Sequence, residues 1–219
     1  IVLCLAWSPD SRFLASGSGD QTVHIWDNQN NQSKWLRGHK SDVLCLVWAP
    51  DGSWLASGSQ ERTTMIWDPV AGKALQVLEG HKGPITSVTT SPNLPFLASK
   101  SNDDTVILWH TATWERVADL SEPGAATQYA GIAFHPKLPM LATLGERGHA
   151  IRIWDLSRET ILSDRPTIDI VRYASAMVVL VGESGTGKTC LARALLGKEF
   201  EPQESTHGMS IWNFSSGYA

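Results

Sequence analysis

The residues with the clearest chemistry lie late in the chain, at 182–189, and read Gly-Glu-Ser-Gly-Thr-Gly-Lys-Thr. This is a complete G-x-x-x-x-G-K-T pattern, in which the glycines let successive backbone N–H groups point inward at a phosphate. We expect Lys188 to bridge the β- and γ-phosphates and the Thr189 hydroxyl to bind Mg²⁺. The pattern therefore predicts a site for a nucleoside phosphate and its magnesium ion. The loop residues predicted to contact the nucleotide are Gly182, Glu183, Ser184, Gly185, Thr186, Gly187, Lys188, Thr189 and Cys190.

The segments on either side of this loop have the order that phosphate binding requires. Residues 176–181 form a continuous apolar run, which is typical of a strand buried on both faces. Residues 191–196 favour a helix, and Gly197 would end it. A helix that begins at the loop adds the positive end of its dipole to the site. We therefore predict the start of an α/β domain at Tyr173.

Further residues of this segment resemble the first third of a small Ras-like or Roc-like GTPase. The resemblance rests on Gly-Lys-Thr-Cys-Leu at 187–191, Phe-x-Pro at 200–202 and Thr-x-Gly at 206–208. It implies GTP or GDP with Mg²⁺ as ligands. It also implies that Thr206 is the switch threonine, which contacts the γ-phosphate and Mg²⁺ only in the triphosphate state. The metal-binding residues implied are therefore Thr189 and Thr206.

The loop alone does not separate guanine from adenine, because the same pattern occurs in signalling ATPases. No Asp-x-x-Gly or Asn-Lys-x-Asp motif follows Phe214. We therefore expect these 219 residues not to hydrolyse nucleotide by themselves, and we expect them to belong to a longer protein that is a GTPase.

An internal repeat fills the first three quarters of the chain. Residues 1–27 and 43–68 match almost residue for residue, and two weaker copies follow. The repeated tryptophans are Trp26, Trp67, Trp109 and Trp154, which follow one another at 41, 42 and 45 residues. Such a period is typical of propeller blades and not of helical solenoids.

Each good copy alternates short apolar strands with turns. The first copy predicts strands at 3–7, 13–16, 22–27 and 33–37, and the second has a turn at Ala49-Pro50-Asp51-Gly52. We therefore predict an all-β propeller part, with about four blades of four antiparallel strands each.

The Trp-Asp endings and the pairs Gly38-His39 and Gly80-His81 resemble the WD-repeat β-propeller family. The resemblance implies that His39, Ser57, Glu61 and Trp67 form a hydrogen-bonded chain within one blade, and that His81 and Asp103 serve the next. Glu61 stands where aspartate is expected, so we expect a strained link there. The fourth copy has no Gly-His pair before it, so we expect its blade to be the least rigid.

The histidines recur once per repeat, which favours a structural role over catalysis or metal binding. Trp35, Trp54 and Trp114 lie outside the repeated positions and are predicted to be exposed. They either cover blade edges, the favoured alternative, or contact a partner.

Composition excludes several classes of protein. The net charge is −4 and no basic run occurs, so no nucleic-acid partner is expected. No long apolar run or signal peptide is visible, so no membrane partner is expected. The three cysteines suggest no disulfide framework, which favours the cytoplasm.

Together these patterns predict propeller blades at 1–163, a linker at 164–172 and the first part of a P-loop GTPase domain at 173–219. The predicted function is a propeller scaffold that binds protein partners and is coupled to a GTP-binding switch. The alternatives are a signalling ATPase with a propeller sensor, and an interaction scaffold whose nucleotide domain is degenerate.

Overall fold

A computed structural model describes residues 1–122, 131–145, 150–157 and 168–171. The chain divides after Arg172 into the units Ile1–Arg172 and Tyr173–Ala219, and all described residues belong to the first. The predicted nucleotide-binding residues, 182–190 and Thr206, lie outside the described residues. They therefore remain predictions.

The described residues form four antiparallel sheets of four strands, each a simple meander in chain order. We call these sheets blades 1 to 4. Blade 1 contains β1 (Val2–Trp7), β2 (Phe13–Ser18), β3 (Thr22–Asp27) and β4 (Gln32–Arg37). Blade 2 contains β5 (Val43–Trp48), β6 (Leu55–Ser59), β7 (Thr64–Asp68) and β8 (Lys73–Leu78). Blade 3 contains β9 (Ile85–Thr90), β10 (Phe96–Ser101), β11 (Thr105–His110) and β12 (Arg116–Ser121). Blade 4 contains β13 (Ile132–Phe134), β14 (Met140–Gly145), β15 (Ala150–Asp155) and β16 (Ile168–Val171).

The predicted four-stranded antiparallel blades are confirmed, and no helix occurs in the part of the chain that the structure describes. The fourth strand of blade 4 departs from the prediction. It lies at Ile168–Val171, within the range 164–172 that was predicted to be linker, and it pairs with β15. The stretch has a strand signal of its own, since Ile168, Ile170 and Val171 are β-branched, and pairing with β15 satisfies its backbone groups.

The blades stack through their faces, with β1, β5, β9 and β13 as successive inner neighbours. The space between blades 1 and 2 is filled by an apolar cluster that includes Val23, Ile25 and Trp67. Glycine allows the closest approach, because a Cβ on Gly17 would lie 2.7 Å from Val43 Cγ1 and one on Gly58 would lie 2.5 Å from Ile85 Cγ2. Similar clusters separate blade 2 from blade 3 and blade 3 from blade 4.

Candidate functional site

A buried chain of hydrogen bonds crosses blade 2 and joins the four residues predicted for it. Trp67 Nε1 donates to Ser57 Oγ over 2.7 Å. Ser57 Oγ lies 2.7 Å from His39 Nε2, and His39 Nδ1 lies 2.5 Å from Glu61 Oε1. The second carboxylate oxygen of Glu61 accepts from the backbone N–H of Lys40 at 3.0 Å. The network therefore ties β6 and β7 to the segments that precede β5 and β7.

The directions of the two terminal hydrogen bonds follow from the groups involved, because an indole N–H can only donate and a carboxylate can only accept. With a neutral imidazole, His39 Nδ1–H donates to Glu61 and Ser57 donates to His39 Nε2. Burial lowers the pKa of His39, and the contacts with Glu61 offset this only in part. Both ring nitrogens of His39 are hydrogen-bonded within the blade, in agreement with a structural role.

Blade 3 repeats the arrangement with aspartate in place of glutamate. Trp109 Nε1 donates to Ser99 Oγ at 2.9 Å, and His81 Nε2 lies 2.9 Å from the same oxygen. His81 Nδ1 lies 3.1 Å from Asp103 Oδ2. Asp103 also accepts from the backbone N–H of Lys82 at 2.6 Å. Blades 2 and 3 thus contain the same hydrogen-bonded network, with glutamate in blade 2 and aspartate in blade 3.

Glu61 makes the predicted link although its side chain is one methylene longer than aspartate. It reaches His39 and Lys40 with separate oxygens, and its Oε1 also accepts from Thr63 Oγ1 at 3.1 Å. The contact with His39 is shorter than that of Asp103 with His81, at 2.5 Å against 3.1 Å. A strained link at Glu61 stays a prediction.

We expect Glu61→Ala to lower the free energy of unfolding by about 1–3 kcal/mol, because the buried His39 Nδ1–H and the Lys40 N–H lose their acceptor. Urea unfolding followed by tryptophan fluorescence measures the change. Glu79→Ala, at an exposed position, is the matched control and should change the stability little. Equal effects at the two positions would contradict the role assigned to Glu61.

Blade 4 builds a related network without histidine. Trp154 Nε1 donates to Thr143 Oγ1 at 2.9 Å, and Thr143 in turn donates to Glu122 Oε1. Glu122 follows β12 directly and takes the place that histidine occupies in blades 2 and 3. Lys100 of blade 3 lies with Nζ 2.9 Å from Glu122 Oε2, and both side chains are almost completely buried. Lys100 also donates to the backbone carbonyl of Leu144.

Blade 4 is linked to blade 3 by a contact that the sequence analysis did not predict. The blade lacks a Gly-His pair, as the sequence indicates, but the buried Lys100–Glu122 ion pair links its network to blade 3. That blade 4 is the least rigid stays a prediction. A buried ion pair contributes little net stability, yet losing either partner leaves an uncompensated charge. Sequence inspection missed both residues. The available signal was Lys100, a charged residue near the end of the otherwise apolar and small-residue strand β10.

In blade 1 the corresponding tryptophan–serine hydrogen bond is longer, and a cluster of aromatic rings lies beside it. Trp26 Nε1 lies 3.5 Å from Ser16 Oγ. His24 is buried between two rings, with its centroid 3.8 Å from that of Trp26 and 3.8 Å from that of Trp35. The His24 and Trp35 rings are nearly parallel, at 8°, and the Arg37 guanidinium lies 5.9 Å from the Trp35 centroid.

The three tryptophans predicted to be exposed behave differently from one another. Trp35 is 50% exposed on the outer strand of blade 1. Trp54 and Trp114 are half-buried, and their rings meet edge to face with centroids 5.2 Å apart. They pack on the apolar cluster between blades 2 and 3. Covering a blade edge is therefore the role of these two, and only Trp35 remains as a candidate contact for a partner.

Among the described residues, no group of three or more histidine, cysteine, aspartate or glutamate side chains is placed to hold a metal ion. In the same ranges, no helix is long and apolar enough to cross a membrane. The predicted phosphate loop lies outside these ranges.

Protonation of the buried histidines should destabilise the fold. Burial lowers the pKa values of His24, His39 and His81 below the ordinary value of 6.5, so the unfolded chain binds protons more readily. The free energy of unfolding is therefore greatest above pH 6.5 and falls as the pH drops below it. Lowered pKa values of Glu61 and Asp103 extend the loss to lower pH.

Urea unfolding between about pH 8 and pH 5 measures this dependence. The His81→Gln variant should show a shallower loss than the unchanged protein, since one of the linked protons is removed. Stability that stays constant or rises on acidification would contradict the assignment of neutral, buried histidines.

Comparison with known proteins agrees with this geometry. The family model described as "WD domain, G-beta repeat" matches residues 1–27, 30–68 and 72–110. The first half of the chain is made of WD40 repeats. None of the curated proteins matches the chain significantly.

Solved structures extend the likeness beyond residue 110. The structure of U3-55K aligns with a TM-score of 0.64 at 22% identity and covers 76% of this chain. The crystal structure of the RRP9 WD40 repeats aligns with a TM-score of 0.66 at 23% identity and covers 78% of this chain. In both, 51% of the other protein is matched, so this chain spans about half of their length. At this identity the likeness establishes the fold.

The WD40 assignment accounts for the networks in blades 2 and 3. It leaves blade 4 as a variant, because Glu122 and Thr143 replace the histidine and serine and Lys100 adds an inter-blade ion pair. The propeller prediction is thus confirmed for the repeats, while a fused GTPase has no support among the matched proteins.

Proposed function

We propose that this protein is a WD40 scaffold that binds a protein partner and is coupled to a nucleotide-binding switch. WD40 repeats generally mediate protein–protein interaction. The scaffold role is supported by the hydrogen bonds that the buried histidine, serine and carboxylate groups make with one another inside the blades. With these groups paired internally, the described residues offer surfaces for binding and not a reactive site.

The partner contact proposed on the blades is Trp35. It is half exposed, it is held rigidly by stacking on His24, and Arg37 lies beside it. A rigid aromatic ring beside an arginine supplies contact area at low cost in conformational entropy, which is typical of interface residues that dominate binding. The proposed compartment is the cytoplasm, and Cys4 and Cys45 are free thiols in agreement with it.

The switch is proposed on the sequence at 182–189 and its flanking segments. Lys188 would hold the β- and γ-phosphates, and the hydroxyls of Thr189 and Thr206 suit Mg²⁺, which prefers oxygen ligands. Bound Mg²⁺ would neutralise phosphate charge. We favour GTP and GDP over ATP because Thr206 and its spacing resemble a GTPase switch.

Competition separates this proposal from its two alternatives. Fluorescent GDP bound to the protein should be displaced by GTP and GDP and not by ATP. Binding of fluorescent ADP, displaced by ATP, with no binding of fluorescent GDP would favour the signalling ATPase. Failure of every nucleotide to bind would favour a scaffold with a degenerate nucleotide domain, and would leave the WD40 scaffold role untouched.

A further inference from the structure

The outer strand of blade 2, β8, has an unpaired edge with little charge. It pairs with β7 on one side, and in the described part of the chain no strand pairs with its other side. Residues 73–77 are all exposed, and among them Leu75 and Val77 are large and apolar. Blades 1 and 3 pack on either side of blade 2, so this exposure is not that of a terminal blade. We call residues 73–79 the free edge.

Edge strands usually carry charged side chains that keep other strands from pairing with them. The outer strands of blades 1 and 3 each contain two charged residues, which are Lys34 and Arg37 in β4 and Arg116 and Asp119 in β12. In β8 the only charged residue is Lys73, at its start, and residues 74–77 are exposed and uncharged. A register shift occurs in both β8 and β12, so it does not set β8 apart. Of the outer strands β4, β8 and β12, β8 is therefore the least protected against pairing.

The sequence of the free edge is complementary to itself in an antiparallel pairing. When Gln76 of one copy lies opposite Gln76 of another, Leu75 lies opposite Val77, and farther out Lys73 lies opposite Glu79. Opposite residues in antiparallel strands have Cβ atoms about 4.5–5.5 Å apart, and apolar or oppositely charged pairs stabilise the pairing. Two-fold symmetry makes each of these unlike pairs occur twice. Only this register places Lys73 opposite Glu79 at both ends.

The two faces of β8 divide these side chains as the pairing requires. Val77 pairs with Met65, which belongs to the cluster between blades 1 and 2, so Val77 is on the face turned to blade 1. Gln76 pairs with Ile66, which belongs to the cluster between blades 2 and 3. Leu75 is next to Gln76 and therefore lies on the same face as Val77. Pairing about Gln76 brings Leu75 and Val77 of both copies together in one apolar group.

We propose that a second copy of this chain pairs with the free edge and forms a two-fold symmetric dimer. β8 of one copy adds to β8 of the other, so that two four-stranded blades become one continuous sheet. Strand addition satisfies the backbone N–H and C=O groups that an edge strand leaves unpaired. The same surface meets itself, and such a contact closes as a dimer and does not grow into a filament. It involves neither Trp35 nor the predicted nucleotide site, so it is independent of the proposed function.

Sedimentation equilibrium of the 219-residue chain over a wide concentration range measures the dimer. We expect Lys73→Glu and Glu79→Lys each to raise its dissociation constant about tenfold, because each variant places like charges opposite each other twice. The double variant restores unlike charges and should regain the affinity of the unchanged chain. Lys137→Glu is the matched control, since Lys137 is exposed in the loop between β13 and β14, and it should leave the constant unchanged.

Single cysteines on β8 report the register of the pairing. Gln76→Cys should form a disulfide-linked dimer under mild oxidation, because the two copies of residue 76 lie close to the distance that a disulfide spans. Ala74→Cys, on the same strand and also exposed, lies opposite Leu78 and should not form one. The unchanged chain gives the background from its own three cysteines. All the substituted positions are exposed, so the variants should keep the fold, which circular dichroism verifies.

Three results would overturn this dimer. A monomer at every concentration would do so, and would leave the free edge to an extended segment of a different protein. A dimer that neither charge reversal weakens forms through another surface. A double variant that stays as weak as the single ones, or equal crosslinking at positions 74 and 76, excludes the register about Gln76.

Discussion

Replacing Trp67 with alanine is expected to lower the free energy of unfolding by about 3–5 kcal/mol, the loss typical of a large aromatic side chain removed from a core. Trp67 is 1% exposed and lies in the cluster between blades 1 and 2. Its indole also donates to Ser57 over 2.7 Å. The substitution therefore creates a cavity and removes the first donor of the buried network in the same blade.

Urea unfolding followed by circular dichroism measures this effect, since the variant changes the tryptophan signal itself. Trp35→Ala is the matched control. Trp35 is half exposed, so its loss should cost under about 1.5 kcal/mol. Trp67→Phe should give an intermediate value because an aromatic ring is kept, while the N–H donor and part of the buried volume are lost. Equal losses for Trp67→Ala and Trp35→Ala would contradict the assignment of Trp67 to the structural network.

Replacing Lys188 with alanine is expected to abolish binding of the nucleoside triphosphate, under the proposed nucleotide-binding role. Lys188 is the cation of the G-x-x-x-x-G-K-T pattern. A lysine in this place supplies the point charge that reaches the β- and γ-phosphates, and hydrogen bonds to charged groups are the strong ones. Titration with a fluorescent, non-hydrolysable GTP analogue measures the loss, and Lys198→Ala, in the same segment but outside the pattern, is the control.

Thr206→Ala separates a switch from a simple phosphate loop. A switch threonine contacts only the γ-phosphate and its metal, so the variant should bind GDP almost normally and the GTP analogue more weakly. Parallel titrations with both fluorescent nucleotides make the comparison. An equal loss of affinity for both nucleotides would mean that Thr206 is a structural residue. It would then support a general nucleotide-binding domain and not a GTPase switch.

The blades could be predicted closely from sequence because their signals are local. Alternation along strands such as Thr22–Asp27, the turn at Gly52 with its φ of 75°, and the spacing of the tryptophans are set by neighbouring residues. The residues of the blade 2 network could be named from their resemblance to a known repeat, and the structure confirms that His39, Ser57, Glu61 and Trp67 meet.

Contacts between blades depended on the tertiary structure, because their partners are far apart in the chain. Lys100 lies on β10 of blade 3, whereas Glu122 follows β12 and accepts from Thr143 of blade 4, and nothing near either residue indicates the other. The edge-to-face pair of Trp54 and Trp114 joins residues of separate repeats and turns two predicted surface rings into half-buried ones. The repeat spacing identifies equivalent residues in the blades. The burial of each of these residues depends on which face of a neighbouring blade packs against it.

The sequence by itself determined the strands and the turns, since these follow from alternation and from backbone geometry over a few residues. The polar network could be named from the sequence only through its resemblance to a known repeat. Only the tertiary structure decided which of the repeated tryptophans are buried. Trp26 and Trp67 occupy the same position of the repeat, yet one is 47% and the other 1% exposed. The reason is that burial requires a neighbouring surface. Blade 1 covers Trp67, while Trp26 lies on the face of blade 1 that is turned away from blade 2.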